Sequence, residues 1–259
     1  MASDLFGVSD KAVVVTGGSR GIGRMIAHGF VRAGARVYIS ARKAEVCDQT
    51  AAELSEDGEC VSLPADLSTL EGVEHLAAAV GEREPAVHVL VNNAGATWGA
   101  PLEEFPDSGF DKVLAVNVKG VFHLTRLLLP RLRAAASVED PARVINIGSI
   151  DGIKVPWTEN YSYAASKAAV HMLTRQLARQ LAADNITVNA IAPGPFESKM
   201  TAFMLDDEAG RDMLVKAVPL RRIGRPDDMA GTAIFLSSRA GSYLTGTVIP
   251  VDGGLSGTA

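Results

Sequence analysis

The stretch Thr16-Gly-Gly-Ser-Arg-Gly-Ile-Gly23 limits what this chain can fold into more than any other, because of what stands on either side of it. Before it, Lys11-Ala-Val-Val-Val-Thr16 is a short β-branched run that stops at glycine, the pattern of a buried strand. After it, Met25, Ile26, Phe30 and Val31 fall on one face of an amphipathic helix that ends at Gly34. A strand that turns through glycines directly into a helix brings a helix N-terminus up to a phosphate. Gly17, Gly21 and Gly23 permit the tight turn and the close approach of backbone to a pyrophosphate, with Ser19, Arg20 and Ile22 on the same loop. The spacing is G-x-x-x-G-x-G rather than the commoner G-x-G-x-x-G, and a glycine turn without a ligand is the competing reading.

The alternation continues along the chain. Strands are predicted over 36–40, 59–63, 87–91, 143–147, 186–192 and 246–251. Helices are predicted over 44–57, 70–84, 110–133, 161–181 and 227–238. With no linker-like break or internal repeat, residues 1–259 are expected to form one α/β domain. Its centre would be a doubly wound seven-stranded parallel sheet with helices on both faces. Residues 198–218 are Met-rich and charged with weak periodicity, and read as a mobile substrate lid.

Composition removes several functions. The net charge of −5 comes with no basic stripe, so nucleic acid is not the expected partner. No apolar run approaches ~18 residues and no signal-peptide pattern opens the sequence, so neither a membrane span nor secretion is expected. Cys47 and Cys60 lack metal-ligand spacing and the five histidines are scattered, which predicts reduced thiols, a cytoplasmic protein and no metal.

The end of the second strand should select the cofactor. An acid there would hold the ribose hydroxyls of an unphosphorylated dinucleotide, but the residues are Ala41 and Arg42. Arg42 and Arg20 suit a 2′-phosphate instead, so NADP(H) is expected over NAD(H), the alternative being two solvated arginines. Asp66 could accept from an adenine amino group while Leu67 packs on the ring, or it could belong only to the cap of the next helix. In Asn92-Asn-Ala-Gly95, small Ala94 and Gly95 allow backbone and cofactor to come close, and Asn92 and Asn93 can stitch neighbouring strands. Asn117 interrupts an apolar helical stripe, so its amide must bond a carbonyl or hold a water. Ser149 follows the fifth strand, beyond the C-terminal strand ends where open parallel sheets bind ligands. Tyr163 and Lys167 are four apart on a helix, hence on one face. Bringing that phenol near neutrality takes ~3 pKa units, which requires partial desolvation and a second positive charge nearby.

Taken together, Thr16-Gly-x-x-x-Gly-x-Gly23, Asp66-Leu67, Asn92-Asn-Ala-Gly95, Asn117, Ser149, Tyr163-x-x-x-Lys167, Pro193-Gly194 and Asp252-Gly-Gly254 resemble the short-chain dehydrogenase/reductase family over almost the whole chain. The resemblance implies a single-domain Rossmann fold and NADP(H) held partly by Pro193 and Gly194. It implies that Tyr163 exchanges a proton with a carbonyl oxygen, Lys167 holds the nicotinamide ribose and lowers the Tyr163 pKa, Ser149 bonds the carbonyl oxygen, and Asn117 holds a water. Tyr161 is the other tyrosine in reach, but it is six residues from Lys167.

Within the family the chain is similar to the 3-oxoacyl (β-ketoacyl) reductases of bacterial rhamnolipid and secondary acyl metabolism. That implies reduction of a 3-oxoacyl thioester, with a sugar acid, polyol or small secondary alcohol as the alternative substrate class. A dinucleotide-sensing regulator is the non-enzymatic alternative. Arg179 matches a position that meets acyl carrier protein, whereas the second basic position is replaced by an acidic loop with Glu139 and Asp140. The family assembly is a homotetramer through the helices of Asn117 and Tyr163. Leu127, Leu128, Met172 and Leu173 could supply the apolar contact there, or face the core.

Overall fold

In the computed structural model, which describes residues 5–198 and 207–258, the strands form one sheet in which every pairing is parallel. They are β1 (Ala12–Thr16), β2 (Arg36–Ser40), β3 (Cys60–Ser62), β4 (Val89–Asn92), β5 (Ala142–Ile147), β6 (Ile186–Pro193) and β7 (Val248–Val251). Their spatial order is β3-β2-β1-β4-β5-β6-β7. The chain therefore runs outward from β1 to β3, then returns to lay β4 on the other side of β1. That reversal leaves a crevice beyond the C-terminal ends of β1 and β4, where a ligand can enter between diverging loops.

The strands read as continuous apolar runs because both faces are covered. Val13, Val15, Val37, Ile39, Val91 and Ile145 point into one layer, against Ile26 and Phe30 of α1 (Gly21–Arg32) and Met229 and Leu236 of α8 (Pro226–Ser237). Val14, Tyr38, Leu90, Val144 and Val188 point into the other. There they meet Leu76 of α3 (Leu70–Gly81), Leu124 and Leu128 of α5 (Val121–Ala135) and Leu181 of α6 (Tyr161–Leu181). Each such aliphatic side chain contributes roughly 1.5–3 kcal/mol on burial, so the two-step alternation of a strand fixes which residue serves which layer. Cys47, on α2 (Ala44–Leu54), and Cys60 are buried free thiols in the first layer.

Three features were not legible in the sequence. The helix read over 110–133 starts at α4 (Asp107–Leu114), passes through a π turn at Ala115–Gly120, and continues as α5. The wider turn adds a residue to the ladder and carries Asn117 to a position only 1% exposed. Second, this stretch, Asp107–Ala135, is long and apolar enough by length and composition to cross a membrane, with a mean hydropathy of 1.3 over its most apolar part. Its apolar side chains have another destination, since Val113, Leu124, Leu128 and Leu132 are all buried inside the fold. Leu128 therefore belongs to the core, whereas Met172 is 60% exposed. Third, the weakly periodic segment read as a lid contains a regular helix, α7 (Glu208–Ala217), capped by Asp207 Oδ2, which accepts the Gly210 N–H at 2.9 Å. The rest of the lid reading, over 199–206, lies outside the described residues.

Candidate active site

The last residue of β1 organises the glycine loop. Thr16 Oγ1 accepts the backbone N–H of Asn93 at 2.9 Å and of Ala94 at 3.0 Å, and donates to Val91 O at 3.3 Å. The Asn93 amide donates back to Thr16 O at 2.8 Å and Gly17 O at 3.2 Å. The segment after β4 thus straps the loop after β1, as the paired asparagines suggested. Asn92 likewise stitches β4 to Asn146 of β5 at 2.9 Å. Side chains have no room at Gly17 or at Gly23. A Cβ on Gly17, whose φ is +65°, would lie 2.7 Å from Asn93 Nδ2, and one on Gly23 would lie 2.2 Å from Gly17 O. The first turn of α1 carries neither an acid nor a capping side chain, so its free N–H groups face the crevice with their partial positive charge intact.

The crevice opens into a cleft of about 1320 Å³. Every residue expected to bind the cofactor lines it: Gly17, Ser19, Arg20, Gly21, Ile22, Gly23, Arg42, Asp66, Leu67, Asn93, Ala94, Gly95, Pro193 and Gly194. At one corner Arg20 and Arg42 are exposed, joined by Lys43, which sequence reasoning did not single out. Arg20 from the loop after β1, with Arg42 and Lys43 just after β2, suit a dianionic 2′-phosphate. Asp66 stands beside them. Burial pushes its carboxyl up, but bonds from the Ser68 hydroxyl at 2.7 Å and N–H at 3.0 Å, with Arg42 nearby, hold it below the usual range. The cap of α3 is Thr69, whose Oγ1 accepts the Gly72 N–H at 3.1 Å, so Asp66 is not that cap.

Ser149, Tyr163 and Lys167 line the far end of the same cleft. Ser149 begins a short 3-10 turn (Ile150–Gly152), and its Oγ accepts the Asp151 N–H at 3.1 Å, leaving its own proton to donate. Lys167 is 5% exposed, donates one N–H to Ile147 O at 2.7 Å, and stands 5.4 Å from the centre of the Tyr163 ring. Burial pushes the Tyr163 phenol up to about 12, against a lowering contact from Ser149 and reinforced by the negative charge of Asp151. Burial also brings the Lys167 ammonium down to about 8, with Asp151 opposing. In the protein alone, burial therefore holds the phenol high against the Ser149 contact, and lowering it requires further positive charge of the kind the sequence argument demanded.

Asn117 lies behind the cleft. Its Oδ1 accepts the Ala96 N–H at 2.8 Å, and its Nδ2 donates to Ala96 O at 2.9 Å and Ser166 Oγ at 2.9 Å. Both amide protons are engaged, so only a lone pair on Oδ1 remains for a water. Tyr161 turns away, packing edge-on against Phe105 at 5.6 Å. Asp140, in the acidic loop that replaces the second basic position, is bonded to Lys11 at 2.5 Å and to Arg143. Sequence reasoning missed Asp151, Lys154, Trp157 and Asn160, all on the cleft wall. The available signal was that Asp151 is two residues from Ser149 and Asn160 three from Tyr163.

A family model described as Enoyl-(Acyl carrier protein) reductase matches residues 17–256. The chain is 51% identical to a rhamnolipids biosynthesis 3-oxoacyl-[acyl-carrier-protein] reductase of Pseudomonas aeruginosa, over 96% of this chain and 97% of that protein. It is 36% identical to 5-keto-D-gluconate 5-reductase of Escherichia coli, over 98% of each. Among solved structures it matches the Pseudomonas aeruginosa RhlG/NADP active-site complex with a TM-score of 0.95 and 50% identity, covering 98% of this chain and 99% of that one. It also matches a gluconate 5-dehydrogenase from Burkholderia cenocepacia in complex with NADP and tartrate, with a TM-score of 0.91 and 32% identity over 100% of both. The chain belongs to the short-chain dehydrogenase/reductase family of oxidoreductases.

Proposed function

We propose that the protein is an NADPH-dependent reductase that converts a 3-oxoacyl thioester to its 3-hydroxyacyl product. The dinucleotide, when bound, supplies the hydride. The glycine loop and the open first turn of α1 hold its pyrophosphate, and Arg20, Arg42 and Lys43 grip its 2′-phosphate. Asp66 and Leu67 border the adenine, while Asn93, Ala94, Gly95, Pro193 and Gly194 border the nicotinamide end. Lys167 keeps two N–H groups for the ribose hydroxyls after its bond to Ile147. Ser149 donates to the substrate carbonyl oxygen, and Tyr163, held as the neutral phenol, delivers the proton to that oxygen. Asn117 acts from behind, fixing Ala96 to Ser166 of α6.

The observation that carries the substrate reading is the apolar wall beside Ser149. Ile150, Val155, Phe196, Leu214 and Leu255 line the cleft there, a surface suited to an acyl chain. A second reading, oxidation or reduction of a sugar acid with the same cofactor, is favoured by Asp151, Lys154 and Asn160 on the same wall. Steady-state reduction of acetoacetyl thioester and of 5-ketogluconate, each with NADPH and NADH, separates the two. We expect turnover of the thioester with NADPH. Turnover of the sugar acid with an inert thioester would replace this substrate by the second, and a preference for NADH would remove the phosphate corner.

The working form we propose is a cytoplasmic homotetramer packed through α5 and α6, where Phe122 and Met172 are 41% and 60% exposed. Light scattering after size exclusion checks the assembly. Arg179, exposed on α6, is the one basic point we assign to an acyl carrier protein.

A further inference from the structure

We propose that Asp151 is a positioning residue that holds the Tyr163 phenol in its protonated form, extending to higher pH the range over which this site can give a proton to a ketone. The inference rests on the reading of Tyr163 as proton donor. Asp151 is held at two points. The Asp151 N–H is bonded to Ser149 Oγ at 3.1 Å, and Asp151 Oδ2 accepts from Asn160 Nδ2 at 3.1 Å. Asn160 is the residue that precedes α6, so the carboxylate is tied at one end to the carbonyl-binding serine and at the other to the helix that carries Tyr163 and Lys167. The turn between these ties has little freedom. Ile150 packs with Val218 and Leu255 in a small apolar cluster. Gly152 is pressed onto α6, where a Cβ would lie 2.7 Å from the Lys167 carbonyl carbon and 2.8 Å from Ala168 N.

A fixed negative charge beside a desolvated phenol disfavours the phenolate, just as a fixed positive charge favours it. Burial and Asp151 both push the phenol up against the lowering Ser149 contact, while the Lys167 ammonium stands 5.4 Å from the ring centre. The other charged groups near this pair are Lys154, from the same loop as Asp151, and His171, one turn along α6 from Lys167. Burial pushes the Asp151 carboxyl up, opposed by the Asn160 bond and by Lys154 and Lys167, and no cation among the described residues forms an ion pair with it. Reduction requires the phenol and oxidation the phenolate. A carboxylate that favours the phenol therefore moves the two pH profiles without changing the overall equilibrium.

The test needs a readout of Tyr163 that does not depend on turnover. Ultraviolet difference titration of phenolate provides it, with Tyr163→Phe as the blank that identifies the Tyr163 signal among the four tyrosines. Asp151→Asn keeps the shape and both hydrogen-bonding neighbours. It should lower the Tyr163 midpoint by roughly one pH unit. In the same variant the alkaline limb of kcat/KM for ketone reduction should fall by a similar amount, and Asp151→Glu should restore most of the wild-type profile. Asp151→Ser, which removes the charge without its bulk, should give the same direction if Asp151→Asn proves unstable. An unchanged Tyr163 midpoint in the folded neutral variants overturns the inference, even if activity falls, since that result assigns Asp151 a structural part only. Full reductase activity in Tyr163→Phe would instead overturn the proton-donor reading, leaving the titration result to stand by itself.

Discussion

Arg143, near the start of β5, and Lys167, against its last residue, are both buried cations, 1% and 5% exposed. Their surroundings differ. Arg143 bonds Asp140 and donates to Ser238 O at 3.0 Å, and Asp140 also takes Lys11 at 2.5 Å. Beside them Glu84 takes Arg36 at 2.9 Å and the Tyr38 hydroxyl at 2.9 Å. At the N-terminal edge of the sheet, then, buried charge has its counter-charge within hydrogen-bonding distance. At the C-terminal edge Lys167 has a backbone carbonyl and a tyrosine ring, Tyr163 is pushed up to about 12, and the first turn of α1 is uncapped. Charge paired inside the protein contributes to the fold. Charge left open at a cleft remains available to the counter-charge of a ligand.

The sharpest way to break this comparison is to remove one group from each edge. Tyr163→Phe should lower kcat by about 10²–10⁴-fold, the usual worth of a general acid, while dinucleotide affinity and unfolding midpoint stay near wild type. Steady-state kinetics beside a fluorescence titration of NADPH check it. Asp140→Ala should do the reverse. It leaves Arg143 buried without its acid, and should cost about 3 kcal/mol in urea unfolding with turnover per folded molecule unchanged. The low end of the range for buried pairs applies because Asp140 itself is 49% exposed. If Asp140→Ala lost activity and kept stability, the two edges would not divide the work in this way.

How much of this was legible in the sequence follows the same division. Local pattern carried the strands and the site loops: the β-branched run into Gly17, the four-residue spacing of Tyr163 and Lys167, and Ser149 after a strand. The C-terminal edge is legible because each of its groups stands at a strand end or on one helix face, where short-range spacing implies position. The N-terminal edge was not. Lys11 and Asp140 stand 129 positions apart in the chain, and Asp140 read as part of an acidic loop. Asp151 and Asn160 failed for a related reason, since they stand nine positions apart across irregular chain and no periodicity applies there. The π turn at Ala115–Gly120 was invisible because a helix with one extra residue has almost the same apolar pattern as a regular one.

A smaller effect probes the open edge at the cofactor corner. Arg42→Asp replaces a cation by an acid beside Arg20 and Lys43, and should weaken NADPH by roughly 10–100-fold, the worth of one charge-assisted bond. NADH should be affected far less, so the ratio of kcat/KM values for the two cofactors moves toward NADH. An unchanged ratio would exclude Arg42 as the group that reads the 2′-phosphate.

The smallest effect sets one histidine from each edge against the other. His88 Nδ1 accepts the Ala12 N–H at 3.0 Å, so protonation would turn that acceptor into a donor facing a donor. Burial lowers its pKa, with Lys11 and Arg36 adding to the shift and Asp140 and Glu84 opposing it. Burial lowers that of His171 too, behind the catalytic turn, and its Nε2 has no partner among the described residues. For a base whose folded pKa lies below its unfolded value, the unfolded chain binds more protons in the window between the two. Stability is therefore highest above the unfolded value near ~6.5 and falls as pH drops through that window. It levels off below the folded value. Asp140, held low by Lys11 and Arg143 against its burial, acts in the same direction but only in the more acidic carboxylate range, so the windows separate. His88→Asn keeps an acceptor where Nδ1 stood and removes the titration. It should flatten the decline in urea midpoint just below neutrality by on the order of 1 kcal/mol for each pKa unit, less whatever partial exposure screens. His171 contributes to the decline that remains, and saturation with NADPH should raise the urea midpoint of wild type and His88→Asn by the same amount, leaving the His88 share of the decline unchanged, because mass action at one edge adds a stabilisation that does not depend on a proton at the other. If NADPH instead abolished the share removed by His88→Asn, the two edges would be coupled through β5.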